Sequence, residues 1–321
     1  MHTILIMLSM IFASILHFFG FNSSQLPQIS NQLASTAAYS QSVAKDVSAS
    51  ANAISRQIHS SQAYVKTILR SLPKPHATLV QKASNTITIV AGDAGVSRNT
   101  VRRATNMVQT YSLPILKQNL NLAPANNVDI VLFSSSGTYA NALRKAGVPG
   151  NEIDSMLSNT GGITIDSDIW IPLYNLQDRS MLANVLTHEL THVIFNQAGI
   201  GDKLPTWINE GMAWYDGLAA QDQINPAETQ AIISSLRGDV IKAGRTGKLL
   251  PLSASEEDIL QASYNVEFED YIAMHYLIQH QGIAKVQAFF HQVINASVNR
   301  SFMNQFQMST TAFENLIYQR L

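Results

Sequence analysis

The stretch His188-Glu189-Leu190-Thr191-His192 constrains this chain more than any other. Around it Leu182, Val185, Leu186, Leu190, Val193 and Ile194 recur at spacings of three and four, which predicts a helix. On a helix, residues four apart lie on one face, one turn above the other. His188 and His192 can therefore direct two imidazole nitrogens at one point, an arrangement suited to a divalent transition metal, zinc first. Glu189 is too close in sequence to His188 to share that metal comfortably. It is better placed to hold a water bound to it.

The residues that follow extend the pattern. Gly199 is a natural helix stop. Leu204-Pro205-Thr206-Trp207-Ile208-Asn209-Glu210 then predicts a second helix, with Thr206 as its N-cap. Glu210 falls within about the first turn, where the helix dipole favours a carboxylate, and can reach a metal on the neighbouring helix. Two histidines and one glutamate leave a fourth position open, as a catalytic rather than structural zinc requires.

H-E-L-T-H followed by W-I-N-E-G-M-A-W-Y resembles the gluzincin metallopeptidases, the group that includes thermolysin and the zinc aminopeptidases. Within that group it looks most like the peptidase MA-like branch, which joins H-E-x-x-H to a W-x-N-E-G-x-A stretch. The motifs cover residues from about Leu182 to Tyr215. The resemblance implies one zinc ion held by His188, His192 and Glu210, with Glu189 as general base and a peptide or protein as substrate. It also implies an α+β, thermolysin-like zincin core: a small mixed sheet with an edge strand, the zinc helix, then an all-helical C-terminal part. The thermolysin pattern places an Asp four residues after the Glu ligand to support a ligating His. Trp214 stands there in this chain and the nearest acid is Asp216, so the support of the two histidines stays open. Such enzymes need a group that stabilises the oxyanion. By resemblance Tyr264 takes that role, with Tyr271, Tyr215 and His275 as competitors.

The remaining sequence sets the organisation. Thr3 to Phe21 is an almost unbroken apolar run without Lys, Arg, Asp or Glu, long enough to cross a bilayer. It predicts either a signal peptide or an uncleaved anchor in contact with a membrane. Both place the catalytic part outside the cytoplasm, secreted or membrane-anchored. Residues 22–83 are rich in Ser, Ala, Gln and Asn with apolar positions at helical spacing. They predict a helical spacer or stalk, with a prosegment or a membrane-surface contact as other uses. The folded domain is expected over 84–321. It starts with strands at Thr86–Val90 and Val128–Phe133, separated by a helix from Ser97 to about Leu120 that Pro114 kinks or breaks. A short helix at Thr138–Lys145 precedes a strand or hairpin over Gly161–Asp166 and Ile169–Leu173. There Pro172, which has no N–H, argues for an edge strand. By resemblance that edge is the rest for an extended substrate. Helices are expected at 226–244, 256–280, 283–296 and 310–320, the second with Ser255 and Asp258 in a capping arrangement.

Other classes are disfavoured. A net charge of −1 gives no hint of nucleic acid. The chain has no cysteine, so disulfides and thiolate zinc sites are excluded. There is no G-x-S-x-G elbow, and Gly161-Gly162 is too little for a phosphate loop. Trp207 and Trp214 are expected in the core, and His275, His280 and His291 as structural or exposed. The sequence thus predicts a zinc-dependent peptidase. The alternative is a catalytically degenerate, membrane-tethered or secreted binding or assembly protein that keeps a vestigial metallopeptidase fold.

Overall fold

The computed structural model describes residues 79–320 except 160, 166, 177, 255–257, 260 and 261. The expected apolar segment, nearly all of the expected spacer, and Ser255 of the expected cap lie outside the described residues. The fold is mixed α/β with one small five-stranded mixed sheet. Its strands are β1 (Val80–Lys82), β2 (Ile87–Ala91), β3 (Val128–Phe133), β4 (Ile163–Ile165) and β5 (Asp168–Pro172), ordered β1-β2-β3-β5-β4. β2, β3 and β5 run parallel, and the outer strands β1 and β4 are antiparallel to their neighbours. β1 falls on residues that the sequence leaves in the spacer, because Val80-Gln81-Lys82 is too short and polar to show a strand pattern.

Pro172 does not mark an edge strand. β5 lies inside the sheet, between β3 and β4. Proline is accommodated as its last residue, opposite Phe133, where the chain leaves the ladder for a short 3₁₀ turn at Leu173–Asn175. The free edge on this side belongs to β4.

Parallel strands covered on both faces carry continuous apolar runs, and β3 is buried at five of its six positions. Ile87, Ile89, Ile130, Leu132, Ile169 and Ile171 face the main core, whereas Val90, Val131 and Phe133 face a smaller one. The smaller core is closed by α3 (Ser136–Lys145) and α4 (Gly150–Asn159). On the main face lie α1 (Arg98–Met107), α2 (Leu113–Leu120) and α5 (Arg179–Gln197). Ser97 caps α1 by accepting from the Thr100 amide at 3.1 Å. Pro114 does not end the helical segment: a π turn at Val108–Ser112 joins α1 to α2 and puts proline in the first turn of α2, where no donor is required of it.

The C-terminal part is helical among the described residues: α6 (Thr206–Asp222), α7 (Pro226–Arg245), α8 (Val266–Gln281), α9 (Ile283–Val293), α10 (Val298–Phe306) and α11 (Thr310–Tyr318). The expected helix over 256–280 is interrupted: Asp258 and Ile259 are helical, 262–265 are not, and α8 starts at Val266, where the Asn265 side chain accepts from the Phe268 amide and caps it. Trp207 packs on Phe313 at 5.2 Å between ring centroids, beside Phe302, and is core as expected. Among the described residues no helix is long and apolar enough to cross a membrane.

Candidate metal centre

The site is built where α5, α6 and β4 meet. Asp178 caps α5 by accepting from the Ser180 and Met181 amides, and the helix stops at Gln197, with Gly199 at φ +69°. Pro205, not Thr206, holds the N-cap position of α6; its fixed φ of −64° suits that position, and Thr206 is already helical. Glu210 therefore sits in the second turn of α6. α6 can press against α8 because residue 211 is glycine: a Cβ there would come within 2.4 Å of the Asp270 carbonyl oxygen.

This packing brings three ligand atoms together. His188 Nε2 and His192 Nε2 lie 3.1 Å apart, and Glu210 Oε2 is 3.5 Å from each. Ligands at ordinary zinc distances in a tetrahedral shell stand about 3.3 Å from one another. The three atoms thus already have the spacing that one tetrahedral ion imposes, and the donor set is nitrogen, nitrogen and carboxylate oxygen. Among the described residues no other group of three such side chains gathers this closely.

Proton positions are set by the surroundings. The Asn209 amide nitrogen donates to the Gly201 carbonyl at 3.4 Å, so its oxygen faces His192. His192 Nδ1–H donates to that oxygen at 2.9 Å, so Nε2 is directed at Glu210 and His188 and in the neutral ring carries the lone pair. Burial opposes a charge on His192, but the carboxylate of Glu210 outweighs it and raises the imidazole pKa to about 10 in the metal-free site. Burial likewise works against ionised Glu210, yet the two histidines hold it well below the usual carboxylate range. The cluster is an anion facing two imidazoles, and it favours a cation at its centre.

Glu189 is buried and lies beside β4. Thr164 of β4 donates its hydroxyl to Glu189 Oε2 at 2.6 Å, so that oxygen is fixed. β4 approaches this closely because the preceding residue pair is glycine: a Cβ on Gly162 would lie 3.0 Å from Glu189 Cγ and 2.9 Å from Ile171 Cδ1. The glycine pair, unremarkable as a sequence motif, is what lets strand meet helix.

The support of the histidines differs from expectation. Asp216 reaches neither; it is buried and bonded to Asn119 and Thr191. His192 is held by Asn209. His188 meets Trp214 edge-on at 6.0 Å between centroids and 87°. Trp214 is half-buried: one side borders the site and the other packs on Phe268 of the core between α6 and α8, at 6.0 Å between centroids. Its indole N–H donates to Glu267 Oε2 at 3.0 Å. Thr164, Asn209 and Glu267 were not singled out from the sequence. Asn209 alone carried a signal, as the residue beside Glu210 in W-x-N-E-G.

Tyr264 is not brought to the cluster. It lies in the loop before α8, buried, and its hydroxyl donates to Glu269 and accepts from the Leu250 amide at 2.9 Å. With its proton so engaged it has none to offer an oxyanion. Tyr271, Tyr215 and His275 form a separate group: Tyr271 Oη lies 2.9 Å from His275 Nδ1, and the His275 ring meets Tyr215 edge-on. No family model matches the sequence, and a search of curated proteins finds no significant match.

Proposed function

We propose that the chain is a zinc-dependent peptidase with a thermolysin-like, gluzincin arrangement. The observation that carries this reading is the convergence of His188 Nε2, His192 Nε2 and Glu210 Oε2 at mutual distances of 3.1 and 3.5 Å, with a buried glutamate one residue after the first histidine. A zinc ion bound by these three side chains supplies Lewis acidity, lowering the pKa of a water and polarising a carbonyl.

The chain's own groups account for the rest. Thr164 holds Glu189 Oε2, so Oε1 is the atom that takes the proton from the attacking water and passes it to the leaving amine. Asn209 keeps His192 in the tautomer whose Nε2 is free. β4 carries the open edge of the sheet, and Thr164 ties it to the general base. An extended peptide added along β4 brings its scissile carbonyl beside Glu189. The apolar run Thr3–Phe21 supports a site of action outside the cytoplasm, in secreted or membrane-anchored form.

The decisive experiment is metal analysis of the purified chain paired with hydrolysis of an unstructured protein, with and without chelator. One equivalent of zinc, chelator-sensitive cleavage, and a Glu189→Gln variant that keeps the metal but loses at least about a thousandfold in rate are expected. A wild-type chain that binds zinc and cleaves nothing returns the function to the vestigial alternative. A chain that binds no divalent metal ends the reading.

A further inference from the structure

At the far end of α5 lies a second feature, independent of the metal centre. A surface cavity of about 350 Å³ is lined by Asn99, Arg102, Arg103 and Asn106 of α1 and by Arg179, the first residue of α5. The four α1 residues sit at i, i+3, i+4 and i+7, so they form one stripe along the helix. The opposite face of α1, with Val101, Ala104, Thr105 and Met107, is buried in the core and fixes the direction of that stripe.

The chemistry of the lining is one-sided. Three of the chain's eleven arginines meet here, although Lys plus Arg are only 21 of 321 residues. Among the described residues none of the three forms an ion pair with a carboxylate. The nearest acid in sequence, Asp178, spends its Oδ1 on the Ser180 and Met181 amides as the cap of α5. Arg102 Nη2 donates to Asn99 Oδ1 at 3.1 Å, which orders that guanidinium and leaves the Asn99 amide hydrogens for another acceptor. Like charges facing one cavity repel. A solvated helix face has no need to direct Arg179 of another helix at Arg102 and Arg103.

We propose that this cavity binds a phosphoryl group. Guanidinium forks match phosphate oxygens two at a time, and asparagine amides add neutral donors around them. The cavity is larger than a lone phosphate, so the group arrives with its carrier attached. Two sources have this chemistry: a small phosphorylated molecule in solution, and the headgroup of an anionic phospholipid. Arg179 and His188 are nine residues apart, about 14 Å along α5 and half a turn around it. The cavity therefore faces away from the metal centre, and its occupant is not the peptide being cut.

The test uses the full chain, with pyrophosphate as the soluble probe and vesicles with and without phosphatidylglycerol as the membrane probe. Calorimetry with pyrophosphate and co-sedimentation with vesicles are compared for the wild type, Arg102→Gln/Arg103→Gln and Arg179→Gln. Binding to either probe, weakened about tenfold or more in the double variant and less in Arg179→Gln, is expected. Zinc content and peptidase rate should be unchanged in these variants, which separates this site from the metal centre. Pyrophosphate binding assigns the soluble source, and binding only to anionic vesicles assigns the lipid. The proposal is overturned by failure to bind both probes, by equal binding of sulfate at matched ionic strength, or by variants that bind as wild type while melting at its temperature.

Discussion

Two polar seams join α5 to α6, and they are built on opposite principles. The outer seam is His188, His192 and Asn209-Glu210, half-buried, with a carboxylate set against two imidazoles. The inner seam, one turn further into the molecule, is Thr191 with Asp216, extended to Asn119 of α2 and, through Thr187, to Ser112 of the π turn. In the inner seam every atom is accounted for if Asp216 is neutral. Asn119 donates to Asp216 Oδ1, the Asp216 hydroxyl donates to Thr191 Oγ1, and Thr191 donates to the Thr187 carbonyl. Burial pushes the Asp216 pKa up to about 7, in keeping with that neutral network. The outer seam needs positive charge instead: with no metal bound, a proton on His192 supplies it to Glu210, and on the proposed reading a metal ion would take that proton's place. The inner seam locks the helix pair, and the outer one leaves work for a ligand.

The largest separation of the two seams comes from Glu210→Ala. On the proposed reading, removing the carboxylate takes away one of three ligands. Zinc affinity is expected to fall by at least about a hundredfold, with peptidase activity lost at limiting metal. Because Glu210 is partly solvated and the inner seam is untouched, the melting temperature of the metal-free protein should stay within a few degrees of wild type. Chelator competition and thermal unfolding of the apo-protein measure the two effects. Unchanged metal affinity removes Glu210 from the site.

The next prediction concerns the inner seam. Asp216 has its folded-state pKa raised from 3.8 to about 7, so between those values the folded state binds more protons than the unfolded one. Stability contributed through this group is then full below about pH 4, falls as pH rises towards 7, and stays low above it. Asp216→Asn keeps the shape, accepts from Asn119 and donates to Thr191. It should match wild type near pH 4 and exceed it above pH 7 by roughly 1 to 4 kcal/mol. Urea unfolding of the apo-proteins across that range measures the difference. A constant difference at all pH values would show that folding does not shift the Asp216 pKa.

Which of these features could be read from the sequence follows from the distances over which each is encoded. The outer seam was legible because His188, Glu189 and His192 share one helix turn, and Glu210 stands in a short motif that opens the next helix. The strands at Ile87–Ala91 and Val128–Phe133 were legible because both are β-branched and buried. The inner seam was not: Asn119, Thr191 and Asp216 are brought together only by packing, and each alone is an ordinary polar residue. Tyr264 was misplaced for a related reason. Its position depends on where α8 begins, and the Asn265 cap moved that start beyond it. Pro172 misled because the absence of an N–H is also harmless at the last residue of an internal strand. Trp214 does pack on the core at Phe268, but its spacing from Trp207 could not show that its other side meets His188.

The smallest expected effects lie within the outer seam, where the two histidines are held differently. His192 is fixed by a hydrogen bond that selects its tautomer, whereas His188 is fixed by an aromatic edge that selects only its orientation. Asn209→Ala should therefore weaken zinc binding by about tenfold, since the ring loses the acceptor that holds its Nδ1–H and aims Nε2 at the cluster. Trp214→Phe keeps an aromatic ring near His188 and loses only the hydrogen bond to Glu267. Its cost should be about twofold to threefold in metal affinity. Chelator competition on the two variants ranks them, and Asn209→Asp serves as the conservative control that restores an acceptor. If Trp214→Phe proves the more damaging, His188 is oriented through the Trp214–Glu267 hydrogen bond, and the tautomer-selecting contact to Asn209 is the lesser of the two supports.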